Sequence, residues 1–155
     1  MPPDNRWTFP VLRRLAIMIV ACLALAPLRA NAEDVARTVI GMIDLREGSN
    51  LRLSNIHSLA EMPLNHLGLV VEYHAILKAL PDLSGRTDIR GVLIWLIDNE
   101  LPDPKAFFDW AARVSAQGIP IVVMGPMPGT VGPHGQATPF AEINRFLAVL
   151  GLRNL

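Results

Sequence analysis

The chain has 155 residues, 51% apolar and 18% charged, enough for one domain with a packed core and too apolar for a disordered chain. Its formal charge is zero, and no basic stripe or arginine cluster marks a nucleic-acid partner. The zero conceals an asymmetry: residues 1–32 hold four arginines against Asp4, and the remainder has ten basic and thirteen acidic residues, about −3.

Those first 32 residues read as an export signal. Arg13 and Arg14 precede the apolar run from Leu15 to Leu28, and Ala30 and Ala32 supply small residues for cleavage. The run spans 14 residues and closes on Pro27 and Arg29, short of the roughly 20 that a membrane span needs. Cleavage after Ala32 is expected, giving a periplasmic or secreted protein with no stable membrane span. Cys22, in "IVAC", offers a second route as a lipidation site; signal-peptidase cleavage leaves a mature chain without cysteine, held by its core alone.

From residue 33 onward a single α/β domain is predicted. "RTVIGMIDL" (37–45) is a short β-branched run and reads as a buried strand ending at Asp44. After the turn "REGSN", the stretch from Ser54 places Ile56, Leu59, Ala60, Leu64 and Leu67 on one helical face. Ser54 fits the N-cap, Pro63 is expected to kink or split the helix, and Gly68 fits a left-handed C-terminal cap. "LVVEYHAI" (69–76) is a second strand, with Glu72 and His74 on one of its faces. A loop rich in turn residues leads to "GVLIWLID" (91–98), apolar on both faces as strands of parallel sheets are. Asp103 and Pro104 open a helix whose apolar side is Phe107, Phe108, Trp110, Ala111 and Val114. "IPIVVMG" (119–125) is a fourth buried strand. The segment 126–138 is a Pro- and Gly-rich loop, read as an exposed connection, a lid or a partner-binding loop. Thr138 and Pro139 repeat the cap-then-proline signal before a last helix.

This alternation predicts an α/β fold, three-layered and flavodoxin-like or Rossmann-like, with a mostly parallel sheet of about four strands. In such sheets ligands lie beyond the carboxyl ends of the strands. The residues there are Asp44, Arg46 and Glu47, then His74, then Asp98, Asn99 and Glu100, then Gly125. Asp44 and Asp98, with Glu100, are candidate catalytic residues if their strands are neighbours, because two carboxylates can hold a cation or exchange a proton. The plainer reading is that they cap turns or face water.

The sequence carries no dinucleotide fingerprint, no phosphate loop and no nucleophile elbow, so no cofactor is expected. His57, His66, His74 and His134 have no zinc spacing, and no metal is expected. A receiver-like phosphorylation site would need a lysine at a strand end, which neither Lys78 nor Lys105 occupies.

The segments "SLAEMPLNHLGLVVEYHAILKALPDL", "IRGVLIWLIDNELPDPKAFFDW" and "GIPIVVMG" together carry a likeness. With Pro63, Leu64, Asn65, Leu67, Gly68, Glu72, Tyr73, Gly91 and Trp95 in place, residues 37–152 resemble the Rossmann-like region of secreted bacterial exopolysaccharide-associated proteins of the Pel deacetylase-hydrolase type. The resemblance implies a module without the catalytic domains, since the deacetylase's histidine pair and aspartate have no counterpart here. It also implies that the chain is a truncated or free-standing copy of one module. The function expected is an exported, non-catalytic scaffold or binding unit with a polysaccharide or envelope-protein partner. The alternative is a small carbohydrate-active hydrolase using the strand-end carboxylates. Trp95, Phe107, Phe108 and Trp110 could contact sugar or a partner, or fill the core.

Overall fold

The computed structural model describes residues 35–44 and 50–152. The export signal, Cys22, Arg46 and Glu47 lie outside the described residues. Four strands form one parallel sheet: β1 (Thr38–Ile43), β2 (Val70–Ala75), β3 (Ile89–Trp95) and β4 (Ile121–Met124), in the order β2-β1-β3-β4. Helices α1 (Glu61–His66), α2 (Pro104–Ala116) and α3 (Phe140–Val149) complete a three-layer, flavodoxin-like α/β fold. Among the described residues no helix is long and apolar enough to cross a membrane.

Alternation along the strands sorts the core into two parts. Ile40, Met42, Val92 and Ile94 face the front of the sheet, where α2 and α3 pack. The predicted face of α2, from Phe107 to Val114, is buried there. The Phe146 ring of α3 stacks on Phe108 with ring centres 4.9 Å apart. Val39, Ile43 and Leu93 face the back, where Ile56 is fully buried against them. Trp95 is on this back face, so the four aromatics singled out in the sequence divide: three fill the front core and one does not.

The predicted kink at Pro63 takes the form of a π-helical turn, Ile56–Ala60, that runs directly into α1. Proline lacks an N–H and its ring crowds the carbonyl four residues back, here that of Leu59. Widening the preceding turn relieves the crowding. The Ser54 hydroxyl accepts from His57 N–H at 3.2 Å, as its N-cap reading requires. At the other end Gly68 (φ 76°) and Leu69 donate to the carbonyls of Asn65 and Leu64, a complete Schellman cap. Gly41 lets this unit sit close: a Cβ there would lie 2.9 Å from Val71 Cγ1 and 3.4 Å from Ile56 Cδ1.

The connection from β2 to β3 contains no helix. Ile76 and Leu83 of this segment are buried in the front core, and the Trp110 indole N–H donates to the Pro81 carbonyl at 2.8 Å. Asp103 caps α2, accepting from Ala106 N–H at 2.9 Å.

Four expectations are corrected. β3 stops at Trp95 rather than Asp98, because residues 96–101 turn to pair with the loop beyond β4. β4 is not buried on both faces, since it is an edge strand that no helix covers at the back, and Val122 and Met124 are exposed. Thr138 does not cap α3; the helix starts at Phe140 with Pro139 at the cap position, and the Thr138 amide is committed to the Thr130 carbonyl. The loop 126–138 is not a plain exposed connection. Val131 bridges to both Glu100 and Ala137, and Gly129 lies against the Phe108 ring, where a Cβ would come within 3.0 Å.

Candidate functional site

The sheet order reverses between β1 and β3. The chain leaves β1 toward β2 over the back and leaves β3 toward β4 over the front, so a crevice opens where those two strands end. Asp44 follows β1 at this point and is 8% exposed. Continuing the register Met42↔Ile94 sets it beside Leu96, two residues short of Asp98. Asp98 Oδ1 accepts from Glu100 N–H at 3.0 Å, a turn-capping role. Glu100 is exposed, and its backbone bridges to Val131. The Asn99 carbonyl accepts from Gly129 N–H at 2.9 Å, and its side-chain amide donates to Thr130 Oγ1 at 2.7 Å. The strand-end residues 98–101 are thus the seam on which the loop beyond β4 is stitched. The adjacency of β1 and β3 that the acid pair needs is present; of the three carboxylates, Asp98 holds a turn and Glu100 faces water. Among the described residues no three His, Cys, Asp or Glu side chains come together in a way that could hold a metal ion.

Two polar clusters flank β2. At the back, Glu61 Oε2 accepts from the Tyr73 hydroxyl at 2.8 Å and pairs with His57 Nδ1. Burial, then the Glu61 carboxylate, pushes the Tyr73 phenol well above its ordinary value. His57 and Glu61 stand four residues apart on the helical unit, so one carboxylate reaches both partners. The three line no part of the groove described below, and they fasten α1 to the edge strand. At the front, Glu72 accepts from His74 Nε2 at 2.8 Å and from Arg86, which also grips Asp88. Arg86, followed by the Thr38 hydroxyl, lowers the Asp88 carboxyl to about 2. His74, expected at a strand end, lies within β2 and belongs to this network. Sequence alternation disclosed the Glu72–His74 pair of the front cluster by setting both on one face of β2, but not Arg86 or Asp88; of the back cluster the i, i+4 pair His57–Glu61 is a legible fragment.

An apolar concavity lies elsewhere. α1 covers β1 and β2 at the back but stops short of β4, leaving a groove of about 520 Å³. Leu59 and Pro63 form one wall, and Gly91, Trp95, Val122 and Met124 form the floor. Gly91 keeps that floor flat, since a Cβ there would come 3.2 Å from the Pro120 carbonyl oxygen. Arg90 stands at the end where β3 begins and is the one charged residue of the lining. Leu59 and Val122 remain 60% and 53% exposed.

No protein-family model, curated protein or solved structure matches this chain. The likeness to exopolysaccharide-associated proteins therefore rests on its own residues. Of these, Pro63, Leu64, Gly91 and Trp95 line the groove, Gly68 caps α1, and Tyr73 anchors it. Six of the nine residues on which the likeness rests thus lie at the back face, while Glu72 belongs to the front network. Sequence reasoning placed the site at the strand ends, and it missed Leu59, Val122 and Met124, which read as ordinary core residues.

Proposed function

We propose that this chain is an exported, non-catalytic α/β module that acts as a scaffold or binding unit in an envelope or exopolysaccharide system, and that it works through the groove on its back face. The observation that carries this reading is the groove itself: an apolar, half-covered sheet face whose lining holds one charged residue, Arg90. Monomeric proteins rarely leave such a patch open without an interaction to fill it. The export step is supported by the Arg13–Arg14 pair, the apolar run and the small residues at 30 and 32. The exopolysaccharide setting is supported by the motif residues that shape the groove.

The test compares two substitution sets in the native host. Val122→Glu places a charge on the groove floor without touching the strand-end acids, and Asp44→Asn with Asp98→Asn does the reverse. The binding reading expects Val122→Glu to abolish retention by envelope or polysaccharide fractions while the acid variants behave as the parent. Hydrolysis of a defined glycan that disappears in Asp98→Asn would replace it with the carbohydrate-active hydrolase. That alternative draws on the adjacency of β1 and β3, which sets Asp44 and Asp98 at one switch point.

A further inference from the structure

We infer that the groove is filled by α1 of a second copy of this chain, the two copies related by a two-fold axis running along the strands. This rests on the binding-module reading and names the occupant of that surface.

The first argument is coverage. Strands of a parallel sheet are ordinarily covered by helices on both faces. Among the described residues the front has two α-helices and the back has one, set over β1 and β2, and no described helix lies over β3 and β4 at the back. The open floor runs from Arg90 to Trp95, five strand steps or about 16 Å. The unit formed by the π turn and α1, Ile56 to His66, has eleven residues and is about 16 Å long.

The second argument is self-complementarity. One side of that unit, Ile56, Ala60 and Leu64, turns to its own sheet. Leu59 and Met62 stay exposed, Met62 at 78%. The helical unit that borders the groove thus projects two apolar side chains, Leu59 and Met62, among exposed polar ones such as Ser58 and Asn65, and one patch contains both a projecting ridge and the hollow to receive it. A two-fold interface demands this arrangement, because each copy must offer both halves.

The third argument is polarity. Rotation about an axis parallel to the strands brings the second α1 over β3 and β4 while keeping it antiparallel to them, as within a βαβ unit. Its carboxyl end then falls beside Arg90. Among the described residues Arg90 makes no ion pair, and a cation beside a helix carboxyl end meets the negative end of the helix dipole favourably. In this arrangement Leu59 meets its own copy across the axis, and Met62 drops onto Val122 and Met124 of the partner. Two sheets then share one central layer of helices.

The experiment uses the full chain with Cys22→Ser, so that an introduced cysteine is the only one. Its mass is measured by sedimentation equilibrium, and Leu59→Cys is oxidised beside a control, Arg113→Cys, on the exposed side of α2. A dimer is expected, with rapid disulfide capture at position 59 and none at 113. Val122→Glu is expected to weaken dimerisation by on the order of a hundredfold or more with the circular dichroism unchanged; Met62→Glu provides a second disruption on the opposite half of the contact. A monomer at all concentrations overturns the inference, as does a dimer that survives both glutamates or does not cross-link at 59. The two ways of failing are separable. A monomer whose groove binds an apolar dye, and loses it in Val122→Glu, removes the second copy but leaves the binding module with a different occupant. A monomer that binds no dye removes both.

Discussion

Gly41→Ala is a sharp test of how the back face is built, because it adds one methyl group at the closest approach of the π turn to the sheet. The new carbon would sit 2.9 Å from Val71 Cγ1 and 3.4 Å and 3.5 Å from two carbons of Ile56. Carbon atoms rest at about 3.5–4.0 Å, so Val71 must withdraw by more than about half an ångström. Its β-branched side chain has few alternative rotamers, and Ile56 above it is fully buried. Overpacking of this kind costs about 1–3 kcal/mol. Replacing glycine in a strand returns about 0.5–1 kcal/mol of conformational entropy. The net expectation is a loss of up to about 2.5 kcal/mol, read from urea unfolding followed by far-ultraviolet circular dichroism. Val71→Ala removes the atom in the way, so the double variant should be more stable than the two single losses predict, by about 1 kcal/mol. Additivity within about 0.5 kcal/mol would show that the two positions do not touch. A stabilising Gly41→Ala would refute the close approach outright.

Tyr73 is the only tyrosine, so the phenolate absorbance of the folded chain reports one group; its titration should begin well above the ordinary value near 10, and a midpoint at 10 would mean the cluster with Glu61 is not formed. Glu61→Gln should lower that midpoint only in part, since burial is the larger cause. The raised value also means that the unfolded chain loses this proton first, so stability should decline as pH rises above about 10. Asp88 has the opposite sign: held at about 2 by Arg86, it contributes stability that is present above its unfolded value near 4 and lost as pH falls toward 2. The drop in urea midpoint between neutral pH and pH 3 should accordingly be smaller in Arg86→Gln than in the parent; equal drops would remove Arg86 as the cause. Trp110→Phe keeps an aromatic ring but deletes the donor to Pro81 and part of a buried indole, and should cost more than the roughly 1 kcal/mol of the hydrogen bond alone, with faster amide exchange at residues 76–88.

Much of the architecture could be read directly from the chain because each element announces its ends. Asp103–Pro104 opens α2, Ser54 opens the π turn, and Gly68 closes α1, each by satisfying backbone groups that the neighbouring sequence leaves unpaired. The runs in β1 and β3 are too apolar to face water on either side, which forces them to the centre of a covered sheet. Boundaries were harder, and for one reason. Asp98 looks like the last residue of a strand, but Asn99 is drawn out of line by bonds to Gly129 and Thr130 some thirty residues later. A pairing partner that distant leaves no trace in local periodicity.

The candidate surface was illegible for a different physical reason. Alternation shows that Val122 and Met124 share a face of β4, and their apolarity suggests that the face is buried. Whether it is buried depends on which helix crosses which face, and that is decided by connections elsewhere. α1 returns from β1 to β2 over the back, so it covers the left half of the sheet; α2 returns from β3 to β4 over the front, so it covers nothing at the back. With the β1–β2 connection at the back, and the β2–β3 and β3–β4 connections and α3 at the front, no described helix covers the back of β3 and β4. That those residues are valine, tryptophan and methionine rather than lysine and glutamate is therefore information about what happens after folding. An edge-side face that met only water would be expected to carry charge, as edge strands commonly do. This one carries a single arginine at its end, which is the pattern the proposed binding surface requires and which the acids at the strand tips do not explain.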